Sequence, residues 1–139
     1  MRTKTIFSAF VIASATLIAA CGGKSSDSNK VIKSTTAGNL TISLASPGGE
    51  LKSGDNELTI TFADSSGKPL DVGAASLNFH MPAMGSMAEM NDKATLTTTN
   101  TPGRYRANVR LEVGGTWEAQ VKYQGAQGTG QASLTVIAK

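Results

Sequence analysis

Arg104-Tyr105-Arg106-Ala107-Asn108-Val109-Arg110-Leu111 and, a few residues on, Trp117-Glu118-Ala119-Gln120-Val121-Lys122-Tyr123 decide the fold class. In both stretches apolar side chains alternate with polar ones, the period of a strand that buries one face. Working outward, Leu77, Phe79 and Met81 share one face, with Asn78 and His80 on the other. Leu58, Ile60 and Phe62 alternate with Thr59 and Thr61, and Leu40, Ile42 and Leu44 with Thr41 and Ser43. Ala132, Leu134 and Val136 close the chain. Ala94, Leu96 and Thr98 form a weaker, threonine-rich segment suited to a sheet edge. Turn residues punctuate the pattern at Gly54-Asp55-Asn56, at Asp64-Ser65-Ser66-Gly67 and from Gly125 to Gly130. Seven period-2 segments in roughly a hundred residues, without a helix, predict a seven-stranded immunoglobulin-like β-sandwich over residues 38–139. The inter-sheet disulfide of that architecture is absent, so Trp117 and the aliphatic faces must hold the core by packing.

The N-terminal part reads differently. Arg2 and Lys4 precede an uncharged, mostly apolar run from Ile6 to Ala20. That run is shorter than the roughly 20 residues a membrane-spanning helix needs, and it has the length of a signal-peptide core. Residues 1–20 are therefore expected to be an export signal. Ile18-Ala19-Ala20-Cys21 resembles a lipobox, and the chain's only cysteine falls at the expected cleavage point. The resemblance implies a diacylglyceryl thioether and an N-acyl chain on Cys21, enough acyl chains for stable anchoring. Gly22 stands where an inner-membrane retention aspartate would. The expected location is the cell envelope, on the outer membrane facing the periplasm in a Gram-negative cell. Residues 21–37 are rich in Ser, Gly, Lys and Asp and read as the lipidated cysteine plus a flexible linker of roughly 20 Å root-mean-square span.

Cleavage would remove Arg2 and Lys4, leaving eleven basic groups against ten acidic ones. The pI near 9.2 thus gives no reason to expect nucleic acid as a partner. With its only thiol lipidated, the mature domain would have no cysteine nucleophile. It has one histidine, carboxylates scattered singly, and glycines at Gly125 to Gly130 that suit a hairpin turn better than a phosphate loop. Asp64 and Asp71 flank a Gly-Lys-Pro turn and read as solvated turn residues. The expectation is a protein that is not an enzyme.

One segment stands apart: His80-Met81-Pro82-Ala83-Met84-Gly85-Ser86-Met87-Ala88-Glu89-Met90. Every methionine except Met1 lies here, at three-residue intervals beside the sole histidine. Pro82 and Gly85 oppose a long helix, so the segment reads as a strand end entering an irregular loop, with one helical turn near Ser86 to Met90. Thioether sulfur is a neutral, polarizable donor that suits Cu(I), and by the same softness Ag(I). It needs no deprotonation, and one imidazole nitrogen completes a three- or four-donor set. Hard metals fit poorly, Glu89 and Asp92 being the only carboxylates nearby in sequence. The candidate metal ligands are His80, Met81, Met84, Met87 and Met90. Met81 shares the parity of Leu77 and Phe79, which favours the core for it. The competing reading makes Met84, Met87 and Met90 an apolar docking surface for a partner protein, or a lid over one end of the sandwich.

Asn78-Phe79-His80-Met81-Pro82-Ala83-Met84-Gly85, then Gly103-Arg104-Tyr105, then Gly114-Gly115-Thr116-Trp117-Glu118 resemble the YtkA-like (FixH-like) domain family. That family shows a Met-Pro-x-Met loop, a Gly-x-Tyr strand start and a Gly-Gly-x-Trp strand in this order. The resemblance runs from about residue 38 to 137. It implies a small extracytoplasmic β-sandwich, often membrane-anchored, associated with copper handling, heavy-metal efflux or oxidase metal supply. Its expected partners are therefore an envelope copper transporter or an oxidase-assembly protein. Met81 and Met84 are the matched motif positions; His80, Met87 and Met90 rest on their chemistry alone.

Overall fold

The computed structural model describes residues 29–139; the expected signal, Cys21 and the linker as far as Ser28 lie outside the described residues. Nine strands follow one another: β1 (Lys30–Ala37), β2 (Leu40–Ser46), β3 (Gly54–Ala63), β4 (Ala74–Met81), β5 (Met90–Lys93), β6 (Thr95–Thr98), β7 (Arg104–Leu111), β8 (Gly115–Gly125) and β9 (Gly128–Ala138). Every pairing is antiparallel, in a five-stranded sheet of order β1-β2-β3-β7-β6 and a four-stranded sheet of order β5-β4-β8-β9. If β2, β3, β7 and β6 are matched to immunoglobulin strands A, B, E and D, then β5, β4, β8 and β9 are C′, C, F and G. The described residues form no helix, and so none long and apolar enough to cross a membrane.

Alternation puts the core where period-2 patterning demands. Leu58, Ile60 and Phe62 on β3 and Ala107 and Leu111 on β7 face Leu77, Phe79, Trp117, Ala119 and Val121 from the other sheet. Trp117 is fully buried, and its Nε1 donates to Val113 O at 3.2 Å. Phe62 stands edge-on to Tyr105, with ring centroids 5.8 Å apart, and to Tyr123 at 5.7 Å. Burial and then the Asp71 charge hold the Tyr105 phenol above its ordinary pKa, so it stays a donor and bonds Gly73 O at 2.7 Å.

Two strands were not expected. The linker reading extended to residue 37, yet residues 30–37 form β1, paired with β2 along its length. A register shift between Val31 and Lys33 breaks the period of two, and only Ile32 and Ala37 pack against the core. An edge strand with a bulge and little apolar content has no alternation to display. The second addition, β5, is a four-residue edge strand that begins at Met90, and the helical turn expected near Ser86 to Met90 is absent, residues 84–87 forming a tight turn instead. It forms because the methionine segment folds back on β4 as a hairpin, with Phe79↔Asp92 and His80↔Asn91 in register.

The connections sort to two ends. At one lie the Gly125↔Gly128 turn, the 38–39 turn and the close approach of Gly103 to Leu70. At the other lie the Gly54↔Leu111 pair, the end of β9 opposite Gly115, and the segment 82–89.

Candidate metal centre

Met81 pairs with Met90 at the end of the β4–β5 ladder, and Met84 pairs with Met87 three residues further along each arm. Met84 N donates to Met87 O at 3.1 Å and Met87 N to Met84 O at 2.9 Å, closing a two-residue turn at Gly85-Ser86. Gly85 supplies the positive φ, 55°, that such turns require at their first central position. Two residues that exchange both hydrogen bonds project their side chains to the same face, with Cβ atoms about 5 Å apart. The two pairs differ in surroundings: Met84 and Met87 are exposed, whereas Met81 and Met90 pack in or against the core.

The methionines therefore divide. Met81 is 2% exposed and lies in the core, its Cε against Gly115. Met90 is half-buried and packs on the same core. Both were candidate ligands from sequence; the structure places them in or against the core, apart from the exposed Met84 and Met87. Met84 and Met87 remain, 53% and 44% exposed. Met84, with Pro82, roofs a cavity of about 330 Å³ whose other walls are Thr116, Trp117, Glu118, Ser133 and Thr135. The even-numbered residues of β8 point to the outer face of the sheet, as His80 does on β4, so Met84 shares a face with the histidine.

His80 is wedged between two carboxylates. Nε2 lies 3.1 Å from Glu89 Oε1 on the returning arm of the hairpin. Nδ1 lies 3.8 Å from Glu118 Oε2, too far for a hydrogen bond, and is a buried nitrogen without a hydrogen-bond partner. Glu89 is itself held. Asn91 Nδ2 donates to its Oε1 at 3.2 Å, and that bond, ahead of the contact with His80, keeps the Glu89 carboxyl below its ordinary pKa. Asn78 Nδ2 in turn contacts Asn91 Oδ1 at 3.2 Å and Gln120 Oε1 at 3.4 Å. A polar row thus crosses three strands and ends at the imidazole.

Glu118 was not singled out from sequence, although it lies closer to the imidazole than Asp92, which faces inward opposite Phe79. Its only signal is polar parity on a strand of unknown register. The two carboxylates sit on opposite ring nitrogens, so they cannot jointly chelate an ion bound to either one. Among the described residues, no three His, Cys, Asp or Glu side chains group as they would around a metal ion.

Residues 34–122 match the YtkA-like family, a span that runs from within β1 to within β8 and contains the whole hairpin. The chain belongs to the YtkA-like family. Comparison with curated proteins and with solved structures gives no match. The YtkA-like match ends before β9, which nevertheless pairs with β8 along the full length of both strands.

Proposed function

We propose that this YtkA-like protein is a lipid-anchored, non-enzymatic protein of the cell envelope that binds Cu(I), or Ag(I) in its place, at the hairpin tip. Its role is to buffer the ion or hand it to another envelope protein. The observation that carries the reading is the pairing of two exposed thioethers, Met84 and Met87, on the face that also carries the only histidine. Two soft sulfurs and one imidazole nitrogen suit a three-coordinate monovalent ion. Nε2 is the nitrogen available to an ion once Glu89, an exposed side chain, gives up its contact with His80 and its bond from Asn91. A shift of Glu118 Oε2 from 3.8 Å to hydrogen-bond distance of Nδ1 then lets it accept from Nδ1–H and fix the tautomer, the arrangement that metal-binding histidines commonly use.

The test is competition for Cu(I) against a chromophoric chelator. One site per chain is expected, weakened by roughly tenfold or more in Met84→Leu and in Met87→Leu. Leucine keeps bulk and apolarity, so it removes the donor while sparing an apolar surface. Unaltered competition in both variants would remove the metal reading. The rival reading, a docking surface that binds no metal, draws on Met84 and Met87 being two of the four large exposed apolar side chains among the described residues.

A further inference from the structure

The methionine hairpin sorts its thioethers by access as well as by position. Met84 and Met87 are 53% and 44% exposed, whereas Met81 is 2% exposed and Met90 packs against the core. Oxygen transfer to a thioether needs a sulfur lone pair within reach of the oxidant, so a dissolved peroxide meets the tip sulfurs before the root ones. Among the described residues no cysteine occurs, and the only tryptophan, Trp117, is fully buried. The two tip sulfurs also differ from each other. Met84 lines the cavity of about 330 Å³ together with Thr116, Ser133 and Thr135, and Met87 does not. Those three residues are exposed on β8 and β9. A hydroxyl donates well to oxygen, whereas thioether sulfur is a weak acceptor. Three hydroxyl-bearing side chains beside Met84 are therefore poorly matched to its sulfur and well matched to a sulfoxide oxygen.

We propose that Met84 and Met87 are an oxidation site for hydrogen peroxide or an organic hydroperoxide, and that their oxidation switches the candidate metal site off. In each step the sulfur lone pair attacks the terminal peroxide oxygen. The S–O bond forms as the O–O bond breaks. The electron pair of that bond leaves with the other oxygen, which takes up the proton of the transferred hydroxyl and departs as water or an alcohol. Sulfur is oxidised by two electrons and the peroxide is reduced by two, giving the sulfoxide. At Met84 the new oxygen accepts from the hydroxyls that line the cavity, which draws this side chain away from Met87. Oxidation also replaces a soft sulfur donor by a hard oxygen, which Cu(I) disfavours. Met81 and Met90 stay thioethers and keep the root of the hairpin in the core, so the fold survives the change. The loss of metal rests on the proposed function; the oxidation site and its cavity do not.

The test treats the full-length chain with hydrogen peroxide and maps the added oxygen by peptide mass spectrometry. Met84 and Met87 should each gain one oxygen before Met81 or Met90 gains any, with the thermal midpoint unchanged. Oxidation of Met81 or Met90 at the same rate would overturn the site. The cavity is tested by proton–nitrogen spectra. Oxidation should shift the amide signals of Thr116, Ser133 and Thr135 in the parent and in Met87→Leu, and leave them in place in Met84→Leu. Shifts confined to residues 82–90 would overturn capture of the oxygen by the cavity. The oxidised parent should compete for Cu(I) no better than Met84→Leu does. Methionine sulfoxide reductases of both epimeric specificities, with a dithiol, should restore its competition. Competition that oxidation leaves unchanged, or a loss that persists once the sulfoxides are reduced, would overturn the switch while sparing the metal reading. Absence of Cu(I) binding before oxidation would remove the metal reading and the switch together, and the mapping and amide shifts would still decide the oxidation site.

Discussion

Met81 and Met84 are neighbours in one motif, yet the structure gives them opposite surroundings, one sealed in the core and the other at the surface. Met81→Leu should therefore leave Cu(I) competition unchanged and alter stability by less than about 1.5 kcal/mol, a volume-conserving change in an apolar site. Chelator competition and a urea melt on the same preparation check both halves. Parity with Leu77 and Phe79 made the inward placement of Met81 legible in the sequence. No comparable signal marked Glu118, because which β8 residue flanks His80 depends on a register that only the folded pairing of β4 with β8 defines. At the opposite end, Asp64 shows how a turn carboxylate stabilises through hydrogen bonds. Its Oδ1 accepts from the Ser66 hydroxyl, and from the Ser66 and Lys68 amides at 2.9 and 3.0 Å. The Ser66 hydroxyl is the largest cause of an Asp64 pKa held below the usual 3.8. A depressed folded pKa means stabilisation that is complete above the ordinary value and lost as pH falls through the folded one. Asp64→Asn should lower the urea midpoint at pH 7, and the difference from the parent should shrink as the pH is taken below that ordinary value.

The hairpin is the element on which the candidate site depends. Its tip hangs on two hydrogen bonds and on Gly85 in the left-handed region, while its root is fixed in the core by Met81 and Met90. Gly85→Ala meets no steric neighbour, so the change acts through backbone strain of about 1–2 kcal/mol. That strain is relieved locally if the tip opens, with loss of the Met84–Met87 pairing and none of the core. The expected outcome is an unchanged thermal midpoint together with Cu(I) affinity weaker by roughly tenfold, as 1.4 kcal/mol implies. A melt that falls while affinity holds would show that the turn supports the fold and not the site. The three-residue methionine spacing suggested one helical turn because it matches a helix face. The same spacing in a hairpin with a two-residue turn instead pairs Met84 with Met87 near the tip and Met81 with Met90 at the root. Sequence period alone could not separate these outcomes, since the decision lies in whether Ser86 begins a helix or completes a turn.

At the scale of the molecule, the two-sheet sandwich was readable because six of the nine described strands bury one face and advertise it by alternation, and a seventh, β6, follows as the threonine-rich edge. The other two, β1 and β5, are edges stabilised mainly by ladder hydrogen bonds, which leave no mark on composition. The family match ends at residue 122, before the last strand, and this makes a test of what the fold requires. β9 supplies Leu134, Val136 and Ala138 to the core and pairs with β8 at every position from Gly115 to Gly125. Without it, β8 becomes an eleven-residue unpaired edge, and the inner face beside Trp117 opens to water. Removing two large aliphatic side chains from the core costs about 2–5 kcal/mol each, so the loss is comparable to the whole stability of a small domain. A fragment spanning residues 34–122 should show collapsed amide dispersion in its proton–nitrogen spectrum, while residues 29–139 should give a dispersed spectrum and a cooperative melt. A folded 34–122 fragment would mean that the five-stranded sheet and β4–β8 suffice, and that β9 serves another purpose.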